Sequence, residues 1–149
     1  MMPGWVRRVR RFATTDGMGL LILGAASIGR GISYAPGIMP ESTRSSHIAE
    51  TWLPMAAWSA VWVAIGVLCI IAAGDWRSKG AALAVGASVG IHFLWGASFL
   101  WGSLVGDMSR GYVSSLSYLA ICFLALWAFS RGRRGDGDPR EVMRDDDPL

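Results

Sequence analysis

The chain has 149 residues, of which 52% are hydrophobic and 17% charged, with a formal net charge of +3. A charged share below the usual level of about 25% argues against an ordinary soluble domain, and eight Trp and nineteen Gly fit membrane-spanning helices and their interfaces. The length allows one domain. The basic residues form no contiguous face of the kind a nucleic-acid module needs, so no nucleic-acid partner is expected.

Residues 1–16 form a basic arm that carries Arg7, Arg8, Arg10 and Arg11. The first apolar block runs over 17–33, with Thr15 or Asp16 placed to cap it and Arg30 close to its end. The stretch from Met18 to Ile28 also has signal-peptide length, with small residues at Ala25-Ala26-Ser27. The apolar run continues to Tyr34, however, and three more blocks follow, so an uncleaved first helix is predicted. Residues 35–50 hold Pro36, Gly37, Pro40 and "ESTRSSH". They predict an irregular external loop or a short surface helix, and a place for a protein partner to dock.

The second block covers 53–73, with Pro54 in its first turn, where a missing N–H does no harm. The third covers 80–104 behind a Ser78 cap, and the fourth covers 111–130. A helix needs about 20 apolar residues to cross the hydrocarbon core. The chain therefore reads as an all-α membrane protein, with a four-helix transmembrane bundle over 17–130. The Gly- and charge-rich tail over 131–149 is predicted to be disordered.

Lys and Arg set orientation by staying inside. Arg7, Arg8, Arg10, Arg11, Arg77, Lys79, Arg131, Arg133 and Arg134 all fall on one side of four alternating spans. The other side has only Arg44 and Arg110, plus Arg30 at a helix end. This predicts both termini in the cytoplasm of a bacterial host, and a multi-pass protein of its cytoplasmic membrane. The aromatic residues agree. Trp5, Trp76 and Trp127 fall at the inner interface, and Tyr34, Trp52, Trp101 and Tyr112 at the outer one. Trp58, Trp62 and Trp95 lie deeper, as packing bulk.

Within the membrane, polar residues are functional candidates by default. His92 sits in the middle of the third helix, and Ser88, His92 and Ser103 lie close to one mildly polar stripe. A hydrogen-bonded imidazole and a pore-lining or titrating one are both open readings. Arg30 either snorkels to the outer interface or pairs with Asp107 or Glu41. Ala82, Gly86, Gly90 and Ala97 form a small-residue stripe suited to helix packing, within the chain or between copies, and Gly102 and Gly106 repeat the spacing. Cys69 and Cys122 read as small buried hydrophobes.

Gly86-Ala87-Ser88-Val89-Gly90 also spells the G-x-S-x-G of a hydrolase nucleophile elbow. That elbow needs a strand–turn–helix context, and this one lies inside a long apolar run. No catalytic residue, metal site or cofactor is predicted.

The stretches "TTDGMGLLILGAASIGRGISY", "LPMAAWSAVWVAIGVL" and "YLAICFLALWAFSRGRR" resemble the small four-span membrane proteins of actinobacterial phages. Some of that group are treated as holin-like. The resemblance implies a non-enzymatic protein that self-associates in the membrane during lysis. A membrane scaffold that docks a partner or excludes superinfection is a second expectation. A small transporter or channel subunit using His92 is a third.

Overall fold

The computed structural model describes residues 15–38 and 47–134. These fold into four helices, α1 (Asp16–Ser33), α2 (Met55–Ala72), α3 (Lys79–Leu104) and α4 (Gly111–Arg134). No strand occurs among the described residues. The helix over Met55–Asp75, including a closing 3-10 turn, is 21 residues long, and those over Lys79–Leu104 and Gly111–Ser130 are 26 and 20. All three are long and apolar enough to cross a membrane. The basic arm with Arg7, Arg8, Arg10 and Arg11 lies outside the described residues, as do Glu41 and the tail from residue 135.

The helix starts follow local chemistry. Ser78 Oγ accepts a hydrogen bond from the Ala81 N–H at 3.1 Å and caps α3. Pro54 is the N-cap of α2, one residue before the first turn, and its carbonyl accepts from the Ala57 and Trp58 amides. Thr15 takes the N-cap position of α1 with extended backbone. At the other end of α3, Gly106 follows the cap residue with φ +85°. This left-handed conformation ends the helix, and L side chains disfavour it. Gly106 is thus a helix stop, and a Cβ there would meet nothing within 4 Å in the chain.

The helices pack as two hairpins, α1 with α2 and α3 with α4. The closest approach is between α1 and α2. A Cβ at Gly66 would lie 2.7 Å from the Gly24 carbonyl oxygen, and one at Gly31 would lie 3.0 Å from the Ser59 carbonyl oxygen. Ser59 Oγ also donates to the Gly31 carbonyl at 2.7 Å. In α3 and α4, Gly96 meets Tyr118 and Leu119, Gly102 meets Met108, and Gly111 meets Phe99 and Ser103. Cys69 and Cys122 are buried free thiols, with Cys69 Sγ donating to the Ala84 carbonyl and Cys122 Sγ to the Val89 carbonyl.

Most of the small-residue stripe of α3 is unused in packing within the chain. Ala82, Gly86 and Gly90 are exposed, and a Cβ at Gly86 or Gly90 would meet nothing within 4 Å. Ala97, farther along, is half-buried. Inside the bundle, Trp62 and Trp95 are 0% exposed, and Trp58 and Trp62 each meet Trp95 edge-to-face.

One sequence boundary shifts, and one segment packs differently from expectation. α4 continues through Arg131 to Arg134, so the tail begins later than 131. The long loop is no simple surface segment either. His47 and Ala49 are buried, and a 3-10 turn over Ile48–Thr51 ties the chain back onto α3.

Candidate functional site

Two polar clusters occupy the interior of the bundle. The first lies at the loop-bearing end and joins the α1 terminus, the 3-10 turn and α3. Trp95 Nε1 donates to Tyr34 Oη at 2.9 Å, and Tyr34 Oη donates to Glu50 Oε1 at 2.8 Å. The Ala49 amide donates to Ser98 Oγ at 2.9 Å, and His47 Nδ1 lies 2.8 Å from the same oxygen. With Ser98 Oγ already accepting from Ala49, its hydrogen is free for His47 Nδ1. Nε2 then carries the imidazole hydrogen and faces Glu50 Oε1 at 3.3 Å. That approach is too oblique for a hydrogen bond, and the contact is electrostatic. Phe99 and Trp95 close round the His47 ring, with centroids at 4.3 and 5.4 Å.

Tyr34 reports this enclosure. Burial above all pushes its hydroxyl from the ordinary 10.0 up to about 12; the Trp95 hydrogen bond opposes the rise and Glu50 adds to it. The folded state therefore favours the neutral phenol. That contribution to stability is fully present below pH 10.0 and is lost as pH climbs through about 12. An alkaline titration followed by tyrosinate absorbance should show a late component that Tyr34→Phe removes. A titration without it would exclude the enclosed network.

The second cluster lies deeper. His92 is 3% exposed and faces Trp62 edge-on at 5.0 Å. Its Nδ1 lies 2.7 Å from the Ser88 carbonyl oxygen. A carbonyl only accepts, so Nδ1 carries the hydrogen and donates. The Ser88 hydroxyl itself is buried without a partner among the described residues. The G-x-S-x-G serine and its neighbouring histidine are therefore joined through backbone and not through the hydroxyl.

With Glu41 outside the described residues, Arg30 can be placed only against its other expected partner, Asp107. Arg30 is half-buried and turned along the bundle, its guanidinium 4.9 Å from the Tyr118 ring centre and 5.6 Å from that of Tyr34. No ion pair joins it to Asp107, which is exposed. Arg30, His92 and Tyr118 border a cavity of about 290 Å³ between α1 and α4, with Ser114 and Ser117 also in its wall.

The remaining sequence candidates are scattered. Ser103 Oγ donates to the Met108 carbonyl at 3.1 Å and steadies the α3–α4 turn. Arg77 and Lys79 are exposed at the α2–α3 connection. His47, Glu50, Tyr34 and Ser98 were not legible as a cluster. Their only sequence signal is the i, i+3 placement of His47 and Glu50, which suits one helical turn. Among the described residues, no group of three His, Cys, Asp or Glu is placed to hold a metal ion. No protein-family model, curated protein or solved structure matches the chain.

Proposed function

We propose that the chain is a non-catalytic integral protein of the bacterial cytoplasmic membrane that crosses it four times, termini inside, and self-associates in a holin-like role. The outward face of α3 carries this reading. Ala82, Gly86 and Gly90 stand exposed in the first half of an apolar helix, and a Cβ at either glycine would meet nothing within 4 Å. Small residues there let a second backbone approach closely, which is how helices associate in lipid.

Four spans are favoured by the α1–α2 contact. α1 has 18 residues, about 27 Å at 1.5 Å per residue. It is locked along α2 from Gly24–Gly66 to Gly31–Ser59, so a membrane that takes α2 takes α1 with it. The charge asymmetry of the connecting segments supports the orientation.

Induced expression should collapse membrane potential abruptly, and Gly86→Ile with Gly90→Ile should reduce cross-linked oligomers and delay the collapse. Cells that accumulate the protein with potential intact would overturn the holin-like role. A transporter or channel subunit is the second reading, favoured by the cavity beside His92. Under it, His92→Leu should abolish a flux that the wild type supports.

A further inference from the structure

We infer that the cleft between α1 and α4 binds the headgroup of an anionic phospholipid, with Arg30 holding its phosphate. The inference rests on the helices being membrane spans, but not on self-association. A guanidinium inside a membrane domain needs compensation. Arg30 has two tyrosine rings against it and no carboxylate partner among the described residues. Cation–π contacts offset only part of its desolvation. Its Nε is buried without a hydrogen-bond partner.

A second observation points to the same cavity. Tyr118 borders it, is 7% exposed, and has a buried hydroxyl with no partner. Buried hydroxyls are normally satisfied. Both atoms, Arg30 Nε and Tyr118 Oη, are closed off from the adjoining space of about 290 Å³, so a headgroup seated there engages them once the Arg30 and Tyr118 side chains turn toward it. Such donors suit a phosphate, which guanidinium recognises in bidentate fashion. His92 adds a different feature. With Nδ1 donating to Ser88 O, Nε2 is left as an acceptor beside the cavity. It suits a headgroup that carries a hydroxyl as well as a phosphate, as a glycerol headgroup does.

The place of the cleft selects lipid over a free anion. Its walls are two helices whose Ala26 and Ser117 are exposed at the rim, so it opens sideways. Arg30 lies three residues before the end of α1, about 4.5 Å along the axis. That depth is close to the lipid headgroups at that end of α1.

The test uses the full chain purified in detergent micelles, with phosphatidylglycerol or phosphatidylcholine added and retained lipid counted by native mass spectrometry. Phosphatidylglycerol should be retained about tenfold better, the scale of one charge-assisted hydrogen bond. Arg30→Gln should abolish the preference, and Tyr118→Phe should weaken it. A purely structural tyrosine predicts the opposite for Tyr118→Phe, because removing an unsatisfied hydroxyl is neutral or stabilising. Arg110→Gln, on the exposed α3–α4 turn, should change nothing. Equal retention of the two lipids, an unaltered Arg30→Gln, or an equal loss in Arg110→Gln each overturns the inference. Inorganic phosphate that displaces the lipid and protects the lipid-free protein would assign the site to a free anion and overturn the lipid source. Carbonate extraction of the wild type from membranes separately tests embedding, so a failure of lipid binding stays distinct from a failure of the membrane reading.

Discussion

Gly66→Ala should destabilise the protein by about 3 kcal/mol, the upper range for overpacking a close contact, while Gly86→Ala should cost nothing. Both glycines sit in apolar helices, and the difference lies in what each faces. A methyl at Gly66 would meet Ile28 Cγ1 at 2.6 Å, the Gly24 carbonyl oxygen at 2.7 Å and the Ile28 amide nitrogen at 2.9 Å. Two of those atoms are backbone and have no rotamer to change. Relief requires α1 and α2 to separate, and contacts along the whole pair weaken with them. Lipid tails are as apolar as the side chains, so close packing supplies much of what holds the pair together. At Gly86 the same methyl enters open space. It removes the helix penalty of glycine, worth up to about 1 kcal/mol in water. Thermal unfolding of the two variants in one detergent compares them directly. Equal midpoints would mean that α1 and α2 are not held by backbone contact at Gly66.

This contrast shows what small-residue spacing can and cannot reveal. Ala82, Gly86 and Gly90 display the four-residue spacing plainly, yet the tight contact uses Gly24 and Gly31, seven apart on α1, against Gly66 and against Ser59 and Val63 on α2. Spacing says that a helix has a small face. Which face meets a neighbour depends on how the hairpins rotate, and that is set by the whole interface. Apolar runs and caps were far more legible, because each depends on residues close in sequence. The runs located α2, α3 and α4, and Ser78 located the start of α3.

The apolar span ends at Ser130 as its hydropathy indicates, but α4 runs on to Arg134, because hydropathy marks where apolar residues stop whereas a helix continues until its backbone bonds end. Ser130 and Arg131 are polar without being helix breakers. Arg30 and His92 stood out as polar residues in apolar blocks. Their shared contact with Tyr118 did not, since it needs α1, α3 and α4 to converge. The network round Ser98 was invisible for a similar reason. His47 lies 51 residues from Ser98, and no local pattern joins residues so far apart.

Ser98→Ala should release that network, with the largest effect at the 3-10 turn and not across the bundle. The substitution leaves the His47 Nδ1 acceptor and the Ala49 N–H donor without partners. An orphaned buried polar group costs about 1–3 kcal/mol. Two of them exceed what the short turn gains by docking, so it should lift off and find water. Its other anchors, the Tyr34–Glu50 hydrogen bond and the contact of His47 with Phe99, resist this only in part. Detachment favoured by about 2 kcal/mol corresponds to roughly thirtyfold faster amide exchange. Hydrogen exchange at Ala49 should therefore accelerate on that scale while amides in the middle of α3 keep their protection. Ser98→Thr keeps the hydroxyl and should retain most of it. If Ala49 exchanges in Ser98→Ala as it does in the wild type, the turn is held by packing of Ala49 and Phe99 alone. If protection falls throughout α3 as well, the network holds the whole bundle and not merely its loop. A local loss would make the turn a separable cover over the end of the bundle that leads to Arg30 and His92.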